Sequence, residues 1–547
     1  MDSVYERALS EVGQNGKFQK RFDIFYNFIF TSLWAIAYNS IILALVIIPY
    51  SCQLPSKPEN VSGMEWKSRY IPTYYDNSTG KVAFSRCQIY INPDESNETK
   101  ACDVYSYNKT WYKSTVPSEN NWICDDELKV AHIFAYSKIG EAVGSVIFGW
   151  FGDIYGRRLS YVLSLFLLVL GRLISVLTSP WYILFVAGCV LAWFPSWTVV
   201  QSATVISMEI SAPERRSTIA TLRTLGYSTG MCIMPLIYWW LGDWKTFMIV
   251  TTSTQLPFLL FSWKILESPR WLWVEGKPKD CVKELNRIAK VNNTKLETET
   301  KEEIFMTKAT KTTEAFRPLS LFSSRRLAIN TILQLYLWAS VSLSYTVLLL
   351  SSSEKSDGNP FLEFTWQSMA EVPATFLGAW LADNLGRRHA GATAYSVSAL
   401  MWILIFFREC GTSTWLQEWW VGSTLVIVNR LATTVSYYVI YLFNMELYPT
   451  CLRQSGMSMG NVFSSGGSAI APYLMYKRRT LDTRIPGAVL FVVTLLGTGS
   501  TLLLPETLNA TLPETVRDAR DFGRGDKFKY GAIQLNTDPD QQPKDNE

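Results

Sequence analysis

Apolar stretches, each near the length of a membrane-spanning helix, alternate with polar links along almost the whole chain. A helix needs about twenty mostly apolar residues to cross a bilayer. The pattern therefore predicts an all-α membrane protein with twelve transmembrane helices. The predicted spans lie near residues 22–49, 128–151, 159–178, 181–207, 219–240, 246–266, 327–350, 364–381, 390–407, 419–443, 457–476 and 486–504.

The order of the spans and of the charged residues in their links repeats once along the chain. Matching acids in the two halves are offset by 230 to 239 residues. This duplication predicts two pseudo-symmetric six-helix bundles and alternating access to a site between them. The link residues of the first half are Asp153, Arg157, Arg158, Glu209, Arg215, Arg216 and Glu267, and those of the second half are Asp383, Arg387, Arg388, Glu446, Arg453 and Glu506.

Arginines in short links stay on the cytosolic side of a membrane, so these links predict the orientation. One predicted outer loop breaks the rule, because it carries Lys477, Arg478, Arg479 and Arg484. It either draws anions toward the outer mouth or is a solvated loop. The predicted parts are a cytosolic N-terminus (residues 1–21), an N-terminal bundle (22–266), a cytosolic hinge (267–326), a C-terminal bundle (327–504) and a cytosolic tail (505–547).

Two segments of the hinge have contrasting patterns. Residues 279–289 predict a short amphipathic helix, whereas the polar residues 294–313 predict a mobile segment. The N-terminal 21 residues are polar and charged without an apolar core, so they do not form a signal peptide.

A long polar stretch, residues 50–127, predicts an extracellular loop with glycans and disulfide bonds. Four cysteines allow three connectivities, which the spacing does not decide. Asn292 and Asn509 also lie in sequons, but on the predicted cytosolic side, and we interpret them as chance matches. The predicted glycosylation sites are Asn60, Asn77, Asn97 and Asn108, and the disulfide candidates are Cys52, Cys87, Cys102 and Cys124.

Composition and motifs argue against an enzyme. The net charge of +4 is too small to indicate a nucleic-acid partner, and 48% of the residues are hydrophobic. The sequence contains no Walker A loop and only two histidines, neither of which fits a catalytic set. We expect no cofactor or metal, a lipid environment and a multi-pass protein of the plasma membrane. Oligomeric state stays open.

Charged link residues on the inner face predict a gate. Acids and bases there can form ion pairs that hold the inner ends of the bundles together when the site faces outward. One exposed pair contributes only about 0–1 kcal/mol, but a network can bias an equilibrium between states a few kcal/mol apart. The alternative is that these charges only fix topology.

Ionisable residues inside the spans point to a polar cavity. A charge at the centre of a span costs about 2.5–3.5 kcal/mol on insertion scales, so it normally faces water or a partner. Lys138 and Glu141 are three residues apart on one helical face. Glu371 lies in the eighth span and Arg430 in the tenth. The alternative for each pair is structural pairing without a role in substrate binding.

Aromatic and amide side chains add a predicted lining to this cavity. Aromatic faces attract organic cations by about 0.5–2 kcal/mol per contact, although many of these rings will only pack. Trp197 and Gln201 share one face of the fourth span. The predicted substrate-binding set is Asn39, Lys138, Glu141, Trp197, Gln201, Tyr345, Glu371, Arg430, Tyr437 and Ser465.

The chain resembles the major facilitator superfamily and, within it, the organic cation/carnitine/organic anion transporter family. The resemblance covers nearly the whole chain and includes the cysteine-bearing outer loop. Sugar porters share the inner-face acids and arginines but lack that loop. The motifs that carry the resemblance are VGQNGKFQK at 12–20, ESPRW at 267–271, ELYPT at 446–450, PET at 505–507 and LPET at 512–515.

This resemblance implies a major facilitator fold and uniport or exchange of small organic ions. Tyr345, Glu371 and Arg430 match family residues near the substrate path. Ser465 departs from the pattern, because cation carriers usually have an aspartate there, and anion and carnitine carriers an arginine. We therefore predict a polyspecific carrier of small organic cations or zwitterions. The alternatives are an organic anion exchanger, a sugar-porter-like carrier, and a receptor or adhesion protein that uses the outer loop.

Overall fold

The structure is a computed structural model that describes residues 2–508, except 57, 59–61, 77–80, 93–97, 213–214, 307–320, 354–357 and 449. Several predictions fall outside the described residues. They concern glycosylation at Asn60, Asn77 and Asn97, the side chain of Arg453, and the tail beyond residue 508.

Helices occupy every predicted span of the first half. In chain order they are α1 (Asp2–Val12), α2 (Lys17–Ala44, with a π-helical stretch Asp23–Phe30), α3 (Gly63–Tyr70), α4 (Val116–Asn120), α5 (Leu128–Tyr155), α6 (Arg157–Leu177), α7 (Tyr182–Trp193), α8 (Ser196–Glu209), α9 (Arg216–Leu241), α10 (Trp244–Ser253) and α11 (Leu256–Leu260). Helices α2, α5, α6, α7 with α8, α9, and α10 with α11 form the six spans. Pro195 separates α7 from α8, since proline cannot donate a helical hydrogen bond.

The hinge and the second half continue this order. The hinge contains α12 (Pro269–Val274), α13 (Pro278–Asn292) and α14 (Thr298–Met306). The second half contains α15 (Arg325–Ser353), α16 (Pro360–Met369), α17 (Glu371–Leu385), α18 (Arg387–Glu409), α19 (Thr414–Gln417), α20 (Trp419–Leu447), α21 (Thr450–Thr480) and α22 (Ile485–Leu503). Its six spans are α15, α16 with α17, α18, α20, α21 and α22.

Seven helical stretches in the described chain are long and apolar enough to cross a membrane by length and composition alone. They are α2, α6, α7 with α8, α15, α18, α20 and α22. The other predicted spans are more polar or are interrupted. For example, α5 contains Lys138 and Glu141, and α16 ends at Met369, two residues before Glu371 begins α17.

The structure adds helices at the N-terminus and in the hinge that the sequence analysis did not predict. The first span begins at Lys17, inside the segment 1–21 that we predicted as a polar terminus. That terminus also contains α1, because Tyr5, Ala8, Leu9 and Val12 follow helical spacing and are all buried. The predicted mobile segment contains helix α14, whose Ile304 is buried. By contrast, the predicted amphipathic helix of the hinge is present as α13.

Among the described residues of the loop between α2 and α5, the strands form three short antiparallel pairs. The strands are β1 (Tyr50–Cys52), β2 (Thr73–Asp76), β3 (Lys81–Phe84), β4 (Gln88–Tyr90), β5 (Thr99–Ala101) and β6 (Tyr105–Tyr107). Strand β1 pairs with β6, β2 with β3, and β4 with β5. Both predicted disulfides form, and the connectivity is Cys52–Cys102 and Cys87–Cys124.

The two halves meet along three sets of packed helices. Helix α5 packs on α21, α9 packs on α16 and α17, and α2 packs on α15. We call the end of the bundle that carries residues 50–127 the loop face. We call the opposite end, which carries Gly156 and Gly386, the motif face. A site between these helices can therefore be lined by residues of both halves.

Candidate functional site

Glu371 and Arg430, both in the second half, form a buried ion pair. The Glu371 Oε1 atom accepts hydrogen bonds from Arg430 Nε at 2.8 Å and from the Tyr345 hydroxyl at 2.9 Å. Glu371 is the first residue of α17, where the eighth span is interrupted, and Pro373 follows in the first turn. The interruption brings an acid into the interior at a point where the helix is already broken.

Arg430 has more hydrogen-bond donors than partners. Its side chain is fully buried, yet Nη1 and Nη2 have no hydrogen-bond partner among the described residues. The guanidinium carbon lies 5.3 Å from the ring centre of Phe364 and 5.8 Å from that of Tyr345. Buried donors normally find acceptors. Two guanidinium nitrogens are therefore available to a bound ligand or water.

The first half completes this cluster through α9. The Ser228 hydroxyl donates to Glu371 Oε2 at 3.4 Å. The neighbouring Tyr227 hydroxyl accepts from the Asn39 amide, also at 3.4 Å. The Thr365 hydroxyl donates back to the carbonyl oxygen of Cys232 at 3.2 Å. The Glu371 cluster thus lies at the boundary between the halves, and the predicted lining residue Asn39 contacts Tyr227 next to it.

A second cluster, made by Tyr38, Lys138 and Glu141, lies within the first half. Lys138 Nζ donates to Glu141 Oε2 and to the Tyr38 hydroxyl, both at 2.8 Å. The Tyr38 hydroxyl donates to Glu141 Oε1 at 2.7 Å. The Lys138 ammonium also lies 4.6 Å from the centre of the Trp193 ring. All three polar groups are satisfied by one another.

Aromatic rings connect the two clusters. Tyr38 stacks between Trp34 and Trp193, with ring centres 4.9 Å and 5.2 Å away. Trp197 packs on Trp34 at 5.2 Å and stacks on Tyr227 at 6.2 Å. Although it makes these inward contacts, Trp197 is 43% exposed. Part of its surface next to both clusters is therefore not covered by described residues.

The remaining predicted lining residues are placed differently. Gln201 is exposed and accepts a hydrogen bond from Arg223 at 3.2 Å, so its described contact lies outside both clusters. The Tyr437 ring lies 5.7 Å from Tyr345, and its hydroxyl is 2.6 Å from the Ser342 hydroxyl. Ser465 is buried, while its neighbour Ser464 makes the hydrogen bond to Ser342.

The charged network of the motif face joins five residues in the first half. Arg157 lies 3.2 Å from Asp153 and 3.7 Å from Glu209. The Glu267 carboxylate accepts from the backbone N–H groups of Arg157 at 3.0 Å and Arg158 at 3.1 Å. These are the orphan donors at the start of α6, where a carboxylate also favours the helix dipole. Burial raises the pKa of Glu267, and the backbone hydrogen bonds oppose that rise.

The second half repeats this network residue by residue. Arg387 lies 3.4 Å from Asp383 and 3.1 Å from Glu446. The Glu506 carboxylate accepts from the backbone N–H groups of Arg387 at 2.8 Å and Arg388 at 3.1 Å, at the start of α18. Sequence matching alone predicted these equivalent positions. In this structure, each of these ion pairs lies within one half.

Arg215 has a partner that the sequence analysis did not assign. Its guanidinium pairs with Asp23 in the π-helical part of α2, and Ser207 donates to the same carboxylate. Asp23 is buried near the motif-face end of a long apolar run. An isolated acid in such a run normally has a partner, so the sequence could have indicated that Asp23 forms an ion pair. Arg216 is exposed at the start of α9.

Contacts between the halves occur at the centre and at the loop face. Arg479 at the end of α21 pairs with Glu127, just before α5. The Tyr112 hydroxyl donates to the carbonyl oxygen of Ser353 at 3.2 Å, and its ring lies 4.8 Å from that of Phe361. These contacts hold the loop face of the first half against the second half.

Four residues near the centre escaped the sequence analysis. Trp34, Trp193, Tyr227 and Ser228 are ordinary helix residues in apolar runs, and only their three-dimensional neighbours distinguish them. A small serine and single aromatic residues are common in such runs, so their spacing gave no usable signal.

A family model described as sugar (and other) transporter matches residues 92–518. The chain belongs to this family. The expectation of a transporter, and not an enzyme, is therefore confirmed. The resemblance to the organic cation, carnitine and organic anion carriers also agrees with the relatives described next.

Similar proteins align over nearly the whole chain. An organic cation transporter protein of Drosophila melanogaster is 27% identical over 543 residues, which cover 95% of each chain. Solute carrier family 22 member 1 of Oryctolagus cuniculus is 25% identical over 554 residues, covering 96% of this chain and 97% of the relative. Solute carrier family 22 member 3 of Mus musculus is 24% identical and covers 96% of this chain and 98% of its own length.

Solved structures confirm the predicted fold class. The proton:xylose symporter XylE, a major facilitator superfamily protein with 6-bromo-6-deoxy-D-glucose bound, has a TM-score of 0.55 at 16% identity. It covers 72% of this chain and 90% of its own. A crystal structure of a D-xylose–proton symporter has a TM-score of 0.54 at 14% identity, with coverage of 87% and 97%. The chain is thus an all-α membrane protein with the major facilitator fold.

Proposed function

We propose that this protein is a polyspecific carrier of small organic cations or zwitterions, working by alternating access in the plasma membrane. The observation that carries the proposal is the buried Glu371–Arg430 pair, which touches Ser228 of the other half. A binding group at this boundary is sensitive to the relative position of the halves. The names of the similar organic cation transporters support the substrate class.

Substrate recognition follows from the chemistry of this cluster. Glu371 is a carboxylate beside aromatic rings, which suits an ammonium group. Arg430 offers Nη1 and Nη2, which suit a carboxylate or another acceptor. A zwitterion can engage both, whereas a simple cation needs only the acid and the rings. The weak 3.4 Å contact to Ser228 leaves the Glu371 Oε2 atom open to such an ammonium.

The transport cycle in this proposal alternates between two closed ends. The pair of Arg479 with Glu127 and the Tyr112 contacts hold the loop face shut here. Trp197 is partly exposed while the loop face is closed, so we infer that the site is reached from the motif face in this state. We place the motif face and both termini in the cytosol, because arginine-rich links stay there. The motif-face network would contribute to the opposite, outward-facing state.

Radiolabelled uptake in cells tests this function. We expect saturable uptake of at least one primary amine, quaternary amine or amino-acid betaine. Glu371→Gln should lower it by about tenfold to a hundredfold, the factor that a charge-assisted hydrogen bond represents. Glu409→Gln is the matched control, since Glu409 pairs with Arg478 at the loop face. Equal uptake by Glu371→Gln and the wild type, at equal surface expression, would refute the site assignment.

Exchange of organic anions is the second candidate, favoured by the two unpartnered nitrogens of Arg430. Dicarboxylates, and not amines, would then compete for uptake, and Arg430→Gln would abolish it while Glu371→Gln would not. A sugar-porter-like carrier would be inhibited by hexoses. A receptor or adhesion role would survive substitutions at Glu371 but depend on residues 50–127.

A further inference from the structure

The Lys138 ammonium is held as a bound organic cation would be. It donates to a carboxylate oxygen of Glu141 and to the Tyr38 hydroxyl, each at 2.8 Å. It also faces two aromatic rings, with centres 4.6 Å away for Trp193 and 5.4 Å for Tyr38. A carboxylate with aromatic faces is a common way for proteins to recognise ammonium ligands.

The groups around the ammonium are positioned independently of the lysine. The Tyr38 carbonyl oxygen accepts from Arg172 Nη2 at 2.7 Å and from Trp193 Nε1 at 3.2 Å. The Tyr38 ring stacks on both Trp34 and Trp193, which restricts its rotation away from the site. Glu141 is buried and accepts a hydrogen bond from the Tyr38 hydroxyl at 2.7 Å. Removing the lysine side chain would thus leave most of the enclosure in place.

We propose that Glu141, Tyr38 and Trp193 form a second binding site for a primary ammonium group, and that Lys138 fills this site as a tethered cation. The lysine then determines specificity, because it keeps substrate cations out of the first half. Glu371 remains the acid that a substrate reaches at the boundary between the halves. This inference rests on the proposed function, since it assumes that organic cations enter the central space.

The position of the site supports this role. Tyr38 is followed by Asn39, whose amide contacts the Tyr227 hydroxyl, and Tyr227 precedes the Ser228 that contacts Glu371. The Trp197 ring also connects the two clusters, since its centre lies 5.8 Å from that of Tyr38 and 6.2 Å from that of Tyr227. A cation that reached the centre would therefore meet both acids if Lys138 were absent. The lysine side chain is 15% exposed, so the site is not sealed from the central space.

Binding of methylammonium to purified variants tests the proposal. Lys138→Ala opens the site and leaves Glu141 without its cation, and methylammonium should raise the melting temperature of this variant in a saturable way. Lys138→Ala/Glu141→Gln is the matched control, because it has the same cavity without the carboxylate. We expect methylammonium to bind the single variant about tenfold to a hundredfold more tightly than the double variant. Both retain Glu371, so binding there cancels from the comparison.

The outcomes separate this inference from the proposed function. If methylammonium stabilises Lys138→Ala but not Lys138→Ala/Glu141→Gln, the result supports the role of Lys138 as a tethered cation. Equal stabilisation of both variants overturns it, even if the wild type shows Glu371-dependent uptake. If Lys138→Ala does not fold alone, expression of this variant in the presence of methylammonium tests the same point, and failure of the amine to restore folding counts against the site. Absence of saturable uptake by the wild type would refute the proposed function instead, because the binding test needs no transport.

Discussion

Arg479 and Glu127 form an ion pair that joins the two halves at the loop face. Arg479 belongs to the basic segment 477–484, which breaks the usual distribution of positive charge in the sequence. Two other arginines of the segment also have partners, since Arg478 lies 3.6 Å from Glu409 and Arg484 lies 3.7 Å from Asp482. Neither a solvated loop nor attraction of anions accounts for Arg479. Its position indicates a contact that stabilises the state with a closed loop face.

Reversing the charge of Arg479 should open the loop face. Arg479→Glu places two acids together, and like charges at such a distance repel. Cys232 lies in α9 at the boundary between the halves and is partly buried. We expect faster modification of Cys232 by an impermeant maleimide applied to whole cells. Cys410, which follows α18 at the loop face, serves as the internal reference for labelling.

A charge exchange provides the control for this prediction. Arg479→Glu/Glu127→Arg restores an ion pair with opposite polarity, so the modification rate of Cys232 should return toward that of the wild type. If the double variant is labelled as fast as Arg479→Glu, the effect comes from general destabilisation and not from this pair.

Two glycines on the motif face should tolerate no side chain. Gly156 and Gly386 have φ of +99° and +83°, which residues with a Cβ rarely adopt. A Cβ at Gly156 would lie 2.5 Å from Glu267 Oε2, and one at Gly386 would lie 2.5 Å from Glu506 Oε2. We expect Gly156→Ala and Gly386→Ala each to lower stability by about 2–4 kcal/mol, from backbone strain and loss of the helix cap.

Thermal unfolding of the purified variants measures this loss. Gly276→Ala is the matched control for strain alone, because its φ is +76° but nothing lies within 4 Å of the added Cβ. A loss for Gly156→Ala no larger than that of Gly276→Ala would show that displacement of Glu267 has little effect.

The repeated motif-face residues could be predicted from sequence because their order and spacing recur. Asp153 and Asp383 occupy equivalent positions, and each lies beside the arginine four residues later. That geometry follows from helical spacing, in which residues i and i+4 are neighbours. Seven of the described spans follow similarly from apolar length, since the bilayer fixes how many residues a helix needs.

Contacts between segments far apart in the chain could not be predicted in the same way. The partner of Arg215 is Asp23, 192 residues away, and nothing in either local sequence names the other. The pairing of Cys52 with Cys102 required the strand pairs around it. The helical N-terminus was missed because its apolar face is only four residues long and packs against the distant hinge helices.

Asn292 should act as a structural residue and carry no glycan. Its side-chain Oδ1 accepts from the Phe18 N–H at 2.8 Å, and Nδ2 donates to the carbonyl oxygens of Val12 at 2.9 Å and Gly13 at 3.1 Å. A glycan on Nδ2 would remove these bonds. We expect Asn292→Ala to cost about 2–3 kcal/mol through the unsatisfied backbone groups. Unfolding measurements check this loss of stability. The glycan is tested on a variant that lacks the four loop sequons, Asn60→Gln/Asn77→Gln/Asn97→Gln/Asn108→Gln. Its mass should not change on glycosidase treatment.

Asn293→Gln is the neighbour control for this prediction, because Asn293 follows α13 with φ of +58° and is not part of these bonds. A larger loss for Asn293→Gln than for Asn292→Ala would contradict the assignment of Asn292 as the connection between the N-terminus and the hinge.

Breaking the Glu371–Arg430 pair should destabilise the protein more than removing it. Glu371→Gln leaves the Arg430 guanidinium fully buried without its acid, and such a change typically costs about 3–5 kcal/mol. Glu371→Gln/Arg430→Gln removes both charges, so part of that stability should return even though no ion pair is present. Transport should stay low in both variants, because neither offers a carboxylate to an ammonium group.

A double-mutant cycle on unfolding free energies measures the coupling between the two side chains. If the two single substitutions lower the unfolding free energy additively, the two charges are solvated independently. That result would contradict a shared site made by Glu371 and Arg430. A large coupling with lost uptake would instead separate the two roles of Glu371, since stability would follow the balance of buried charge while transport would follow the presence of the acid.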